Sequence, residues 1–269
     1  MMITLKSKDE TQKLKAGGQI LAGVLKKVAA KARPGVTTQE LNDLATQLVL
    51  EAGAIPSFLG YENFPASLCT SVNQQIVHGV PSERKLKKGD ILGLDLGVLY
   101  PPENCRGCPS AGGGCGLEPG LFTDAAITVP VGQISDKAKK LIAATKKALD
   151  LATAQVRPGN HLGDVSAAIQ QYVESQGLAV IRDLVGHGVG YAVHEDPEIP
   201  NFGQPGQGEE LKEGMVLAVE PMVTLGGAKI KKSKAEFGYS GYETADGSLA
   251  AHFEHTVVVT KKGAEVLTR

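Results

Sequence analysis

The stretches Leu86-Lys87-Lys88-Gly89-Asp90-Ile91-Leu92-Gly93-Leu94-Asp95 and Leu211-Lys212-Glu213-Gly214-Met215-Val216-Leu217-Ala218-Val219-Glu220 state one pattern twice. In both, a Leu-Lys-x-Gly turn leads into an apolar strand that ends in a carboxylate six residues after the Gly. Each half offers a second acid on a later apolar run, Phe122-Thr123-Asp124-Ala125-Ala126-Ile127-Thr128-Val129 and Phe253-Glu254-His255-Thr256-Val257-Val258-Val259. Ionised carboxylates in strand-like apolar surroundings are costly to bury alone, so Asp95, Asp124, Glu220 and Glu254 call for cations beside them. Together with His187, from Gly186-His187-Gly188-Val189-Gly190, they suit a site for two divalent metals.

The duplication extends to the helices. Ala32-Arg33-Pro34-Gly35 and Val156-Arg157-Pro158-Gly159 each follow a Lys- and Ala-rich amphipathic helix pattern, over Gln19 to Ala32 and Asp136 to Val156. Each break precedes a second helix, Thr38 to Glu51 and His161 to Gln176, that ends near a Gly. Every half therefore reads helix, turn, helix, then strands, which predicts an α+β fold. The expectation is a single domain over 1–269, duplicated at about 15–131 and 136–262. Its halves would be related by a pseudo-twofold axis, with pooled antiparallel sheets backed by four helices. The segment of about 100–121, dense in Pro, Gly and Cys, breaks the symmetry and reads as a long hairpin tip.

Composition narrows the function classes. The chain has 269 residues, 42% hydrophobic and 21% charged, with 28 basic and 29 acidic residues and a net charge of -1. That balance offers no global case for nucleic acid or an anionic membrane. The N-terminal residues carry no signal-peptide core, and no apolar run is long enough to span a bilayer, so the reading is cytoplasmic. Trp is absent, so any cover over a substrate must come from the few Tyr and Phe residues.

Two further histidines sit in suggestive settings: His78 before Gly79-Val80-Pro81, and His194 before Glu195-Asp196-Pro197. Either could polarise a carbonyl or assist a leaving group, or simply hold loop carbonyls. His161, His252 and His255 read as structural or surface residues.

Taken together these segments resemble the methionine aminopeptidases, in the short type I form with the pita-bread (creatinase/aminopeptidase) fold. The carrying residues are His78-Gly79-Val80-Pro81, Asp95, Asp124, Gly186-His187-Gly188, Val193-His194-Glu195-Asp196-Pro197, Glu220-Pro221-Met222 and Phe253-Glu254-His255-Thr256. Type I fits because no long insertion separates His194 from Glu220. The resemblance implies that Asp124 and Glu254 bridge two metals (Co, Mn, Fe or Zn), that Asp95 completes one site, and that His187 with Glu220 completes the other. It also implies that a bridging hydroxide attacks the carbonyl of an N-terminal Met, with Glu220 shuttling the proton. His194 would steady the oxyanion and His78 would contact the scissile amide. The methionine pocket maps onto Phe58, Tyr61, Phe64, Cys69 and Val193, an apolar and soft lining suited to a thioether.

The chain departs from the family in three places. Val193 stands where a Phe is usual, a Trp upstream of Glu254 is replaced by Tyr239 or Tyr242, and the long insert separates Asp95 from Asp124. The same ligands also serve X-Pro aminopeptidases and prolidases, but those carry a sizeable extra N-terminal domain for which this chain leaves no room. A metal-free binding module would lose ligands that are all kept here. The partners implied are the N-terminal peptides of nascent proteins, with ribosome association and a monomeric state, and neither a membrane nor specific nucleic acid. In the insert, Cys105, Cys108 and Cys115 read as incidental thiols; structural zinc is the competing reading, one ligand short of a full set. If zinc is held there, Cys108→Ser lowers total zinc by about one equivalent in elemental analysis, and unchanged content refutes it.

Overall fold

The computed structural model describes residues 3–102 and 120–269, so Cys105, Cys108 and Cys115 lie outside the described residues. Four α-helices occur among the described residues: α1 Lys8–Ala29, α2 Thr38–Glu51, α3 Asp136–Gln155 and α4 Leu162–Ser175. The first three begin at a Ser or Thr whose hydroxyl satisfies a free N–H group of the first turn. Ser7 and Glu10 form a reciprocal capping box, as do Thr37 and Glu40. The Ser135 hydroxyl accepts from Ala138 N, and the Asp164 carboxylate accepts from His161 N.

The first helix starts well before Gln19, where the sequence reading put it. Gly17 and Gly18 lie inside it and do not break it. A Cβ on Gly17 would sit 3.2 Å from Tyr100 Cβ, and one on Gly18 only 2.4 Å from the Leu267 carbonyl oxygen. The pair lets α1 press directly onto the first-half sheet and the C-terminal segment, and that close approach outweighs the poor helix propensity of Gly.

Strands follow the helices in each half. The first half contributes β1 Ile55–Pro56, β2 Leu68–Val72, β3 Gln75–Val77, β4 Ile91–Tyr100 and β5 Leu121–Pro130. The second contributes β6 Ala179–Val180, β7 Val185–Gly188, β8 Glu195–Pro200, β9 Val216–Val219, β10 Met222–Thr224, β11 Ile230–Lys232, β12 Tyr242–Thr244, β13 Ala250–His252, β14 His255–Thr260 and β15 Gly263–Val266. Leu21, Val24 and Val28 of α1, with Leu41, Ala45 and Val49 of α2, pack on Leu92, Leu94, Leu96 and Val98. Leu141, Ala148 and Leu149 of α3, with Val165, Ile169 and Val173 of α4, pack on Leu217, Val219, Val257 and Val259.

The first-half hairpin is continuous: β4 and β5 pair antiparallel from Ile91↔Pro130 to Tyr100↔Leu121. The second-half equivalent is broken on both strands at one level. Glu220 and Pro221 separate β9 from β10, and Phe253 and Glu254 separate β13 from β14. Pro221 has no N–H to give to a ladder, so the pairing lapses there and resumes as two sheets, β15-β14-β9-β7-β8 and β13-β10-β6. A further sheet, β11-β12-β3, takes strands from both halves, and the first half forms β1-β4-β2 with β5 paired to β4. This corrects two strand boundaries from the sequence. Asp95 lies in the middle of β4, not at its end, and Glu254 lies in the gap before β14, not on the strand.

The two hairpins meet along β5 without a regular ladder. Thr256 Oγ1 accepts from Asp124 N at 2.9 Å and donates to Asp124 O at 2.7 Å. Thr128 Oγ1 does the same to His252, accepting from its N at 2.9 Å and donating to its O at 2.8 Å. Between these clasps Glu254 N donates to Ala126 O at 2.9 Å. In this crossed register Asp124-Ala125-Ala126-Ile127-Thr128 corresponds to His252-Phe253-Glu254-His255-Thr256. The structural counterpart of Asp124 is therefore His252, and that of Glu254 is Ala126.

Thr256 is fully buried, so Thr256→Val leaves the Asp124 N–H and C=O unpaired at the seam. The expected cost is about 1–3 kcal/mol of unfolding free energy in urea titration. A loss no larger than that of an exposed Thr→Val control would show that the clasp contributes nothing.

Candidate metal centre

Five donors converge at the seam because of the two interrupted strands. Asp95 comes from the centre of β4, Asp124 from β5, His187 from β7, Glu220 from the Pro221 break and Glu254 from the gap before β14. One ligand atom from each of Asp124, His187 and Glu254 lies within 4.8 Å of the others. His187 Nε2 is 3.5 Å from Glu220 Oε1. Glycines on both sides of His187 admit its neighbours: a Cβ on Gly186 would stand 2.4 Å from the Ala218 carbonyl oxygen, and one on Gly188 2.2 Å from that of Asp196. The close packing wedges β7 between β8 and β9.

The His187 tautomer can be read from its partner. His187 Nδ1 lies 2.9 Å from the Gly188 carbonyl oxygen. A carbonyl can only accept, so the proton is on Nδ1 and the Nε2 lone pair faces the acids, as a metal ligand requires. His194 differs, with its Nδ1 facing the Tyr61 hydroxyl at 3.0 Å. His78 Nδ1 faces the Tyr239 hydroxyl at 3.4 Å. The His187 and His194 rings stack edge to face at 4.3 Å.

The electrostatics demand a cation. Burial, then the charges of its acidic neighbours, pushes the Asp124 carboxyl well above its usual range, and Glu254 likewise. Burial does the same to Glu220 and raises Asp95 to about 6. Burial lowers His187 to about 3 and His78 to about 4, with further lowering by neighbouring histidines, so both imidazoles are neutral near pH 7. Asp95 Oδ1 and Asp124 Oδ1 are buried with no hydrogen-bond partner. Orphaned carboxylate oxygens next to a free imidazole nitrogen make a donor set that fits divalent metal.

The donors line the floor of a cavity of about 410 Å³, whose walls include Phe58, Tyr61, Phe64, Cys69, His78, His194, Leu184, Met222 and Tyr239. Val193 is buried in the apolar cluster of Phe58, Phe64 and Cys69 but does not line the cavity. Burial, then the nearby acids, pushes the Cys69 thiol up, so it presents a neutral, soft surface. Tyr239 crosses Phe64 edge to face at 5.1 Å, and Tyr242 lies 6.1 Å from the His78 ring.

Sequence reasoning grouped His252 with structural or surface residues. The structure places it behind Glu220 and outside the cavity lining, 3% exposed, with Nε2 3.2 Å from Glu220 Oε2 but out of line for a hydrogen bond. Its spacing before Thr256, matching that of Asp124 before Thr128, was the available signal. Glu195 was also missed as an anchor. Its carboxylate accepts from Lys6 Nζ at 2.5 Å, from Thr4 Oγ1 at 2.9 Å, and from the backbone N–H groups of Tyr191 and Ala192. The N-terminal segment thereby fastens the loop that carries His194.

The pattern of metallopeptidase family M24 matches residues 12–105 and 114–261. A methionine aminopeptidase from Clostridium perfringens is 45% identical over 267 residues, covering 99% of each chain. The crystal structure of a methionine aminopeptidase from Thermotoga maritima, 40% identical, matches 100% of both chains with a TM-score of 0.89. A prolidase from Pyrococcus horikoshii, 20% identical, shares the fold over 98% of this chain and 63% of its own, with a TM-score of 0.73.

Folded-state carboxyls with raised pKa hold protons that the unfolded chain has lost. Their stabilising contribution is present at low pH and disappears as pH rises through about 6 for Asp95, and higher for the others. A cation must displace those protons. Manganese(II) added to chelator-stripped protein should therefore release protons at about pH 6, and its apparent affinity should climb from about pH 5 to about pH 7. Calorimetry in buffers of different ionisation enthalpy reads both, and a pH-independent affinity without proton release would contradict the assignment.

Proposed function

The chain belongs to the methionine aminopeptidases of metallopeptidase family M24, and on that premise we propose how its residues remove an initiator methionine when the next residue is small. The observation that carries the reading is the union of orphaned, buried carboxylate oxygens with an apolar cavity directly above them. We assign two divalent cations, from among Co, Mn, Fe and Zn, to the donor set. Asp124 and Glu254 serve both, Asp95 completes one site, and His187 with Glu220 completes the other. Bound cations would acidify a water and offset the negative charge that develops on the scissile carbonyl.

The remaining roles belong to side chains. Phe58, Tyr61, Phe64 and Cys69 receive the methionine thioether, and Val193 supports that wall from behind. Glu220, as a carboxylate that burial makes strongly basic, takes a proton from the attacking water and returns it to the leaving amine. With the Tyr61 hydroxyl donating to Nδ1, His194 carries its proton on Nε2 and can donate to the developing oxyanion. With Tyr239 on its Nδ1, His78 is set in the same way to contact the scissile amide. His78 has φ 58, in the left-handed region that side chains rarely adopt, which points its ring into the cavity.

We further propose that the chain acts as one catalytic domain built from its two halves, on the N-terminal peptides of nascent proteins, as a monomer in the cytoplasm and near the ribosome. No helix among the described residues is long and apolar enough to cross a membrane.

The deciding experiment gives the metal-reconstituted protein Met-Ala-Ser and Ala-Pro-Ser peptides and follows release of the first residue. Cleavage of the Met peptide alone is expected; cleavage of the Pro peptide alone would place the chain with the X-Pro enzymes. Glu220→Gln should leave the unfolding transition in place and lower kcat by about 10²–10⁴-fold. Turnover within about tenfold of wild type would refute the proton-transfer role.

A further inference from the structure

The mechanism above leaves one buried, unpartnered group directly behind Glu220. His252 Nε2 has no hydrogen-bond partner, is sealed from solvent, and lies 3.2 Å from Glu220 Oε2. The other carboxylate oxygen, Oε1, faces His187 Nε2 at 3.5 Å. Glu220 is thus gripped between two imidazoles of opposite character. His187 keeps its proton on Nδ1 and turns a lone pair inward. Cations held by the acids would keep Glu220 ionised, and its Oε2, 3.2 Å from His252 Nε2, would then be an acceptor that favours the proton on Nε2.

We propose that His252 is a positioning residue for Glu220, donating from Nε2 to Oε2 and so assigning Oε1 to the metal and substrate side. This rests on the functional reading given above. Three features support it beyond the distance. Glu220 follows β9 immediately before Pro221, where no ladder holds the backbone in register, so its side chain needs an external restraint. His252 can supply one because its own N–H and C=O are both clasped by Thr128. Finally, the crossed register makes His252 the second-half counterpart of Asp124. An imidazole at that place gives Glu220 a donor where a carboxylate would have added a further like charge to four crowded acids. Outer partners of this kind commonly change metal affinity or activity by about 10–100-fold when removed.

The test compares His252→Leu with His252→Gln, whose amide Nε2 can replace the donor. His252→Leu should lower kcat by about tenfold or more with KM for Met-Ala-Ser little changed, because the methionine pocket is built from other elements. Calorimetric titration of chelator-stripped protein with manganese(II) should show affinity weakened by about tenfold. His252→Gln should restore both to within about threefold of wild type. Wild-type kcat and manganese binding in His252→Leu, or a His252→Gln variant as impaired as His252→Leu, would overturn the proposal. If the Leu variant does not fold, His252→Asn replaces it, carrying the same amide on a chain too short to reach Oε2. If the wild type itself releases no Met, the assigned reaction fails, while the manganese isotherms still decide the role of His252.

Discussion

Four carboxyl groups crowded into a buried seam set the terms for everything around them. Asp95, Asp124, Glu220 and Glu254 cannot all ionise there without cations, because desolvation and mutual repulsion oppose each added charge. Their surroundings show the same constraint. The nearest imidazoles are held neutral, carboxylate oxygens are left without donors, and among the described residues no Lys or Arg lines the cavity. A cation side chain there would have made a stable ion pair and a useless site. The fold instead keeps the charge unbalanced for an exchangeable ion.

Pseudo-symmetry supplies that crowding, and departures from symmetry make it useful. The crossed clasps of Thr128 and Thr256 align two similar hairpins edge to edge. A perfect copy would have given each donor a twin. Instead the second hairpin is severed at Glu220-Pro221 and at Phe253-Glu254, opposite one another. The gaps turn two glutamates inward where the intact hairpin has Asp95 at mid-strand and Ala126. The unlike donors of the two halves therefore arise from two interruptions in one repeat.

Much of this was legible in the sequence, and the exceptions have physical causes. The α+β class followed from paired helix patterns ahead of apolar runs and the pita-bread fold from the family resemblance, and α2 runs from Thr38 to Glu51 as the apolar spacing indicated. The start of α1 was hidden because Gly17-Gly18 looks like a break when its close approach to Tyr100 and Leu267 is not visible. The gap at Glu254 was hidden because the run Phe253–Val259 stays apolar through it, while its cause, Pro221, sits on the neighbouring strand. The donor types could be read from composition and spacing. Their tautomers could not, since these depend on which backbone oxygen or hydroxyl meets each ring.

The grip of Thr4 and Lys6 on Glu195 ties the loop of His194 to the short segment ahead of α1. Lys6 is an interior residue, its side chain 1% exposed and its ammonium 4.5 Å over the Tyr191 ring. Local opening of that segment would release the loop while both helical cores stayed closed, since neither core depends on these contacts. Heat should then silence the protein in a small, sub-global event before it unfolds as a whole. Amide exchange at Tyr191 and Ala192 would follow the opening of that segment and not the melting of the sheets.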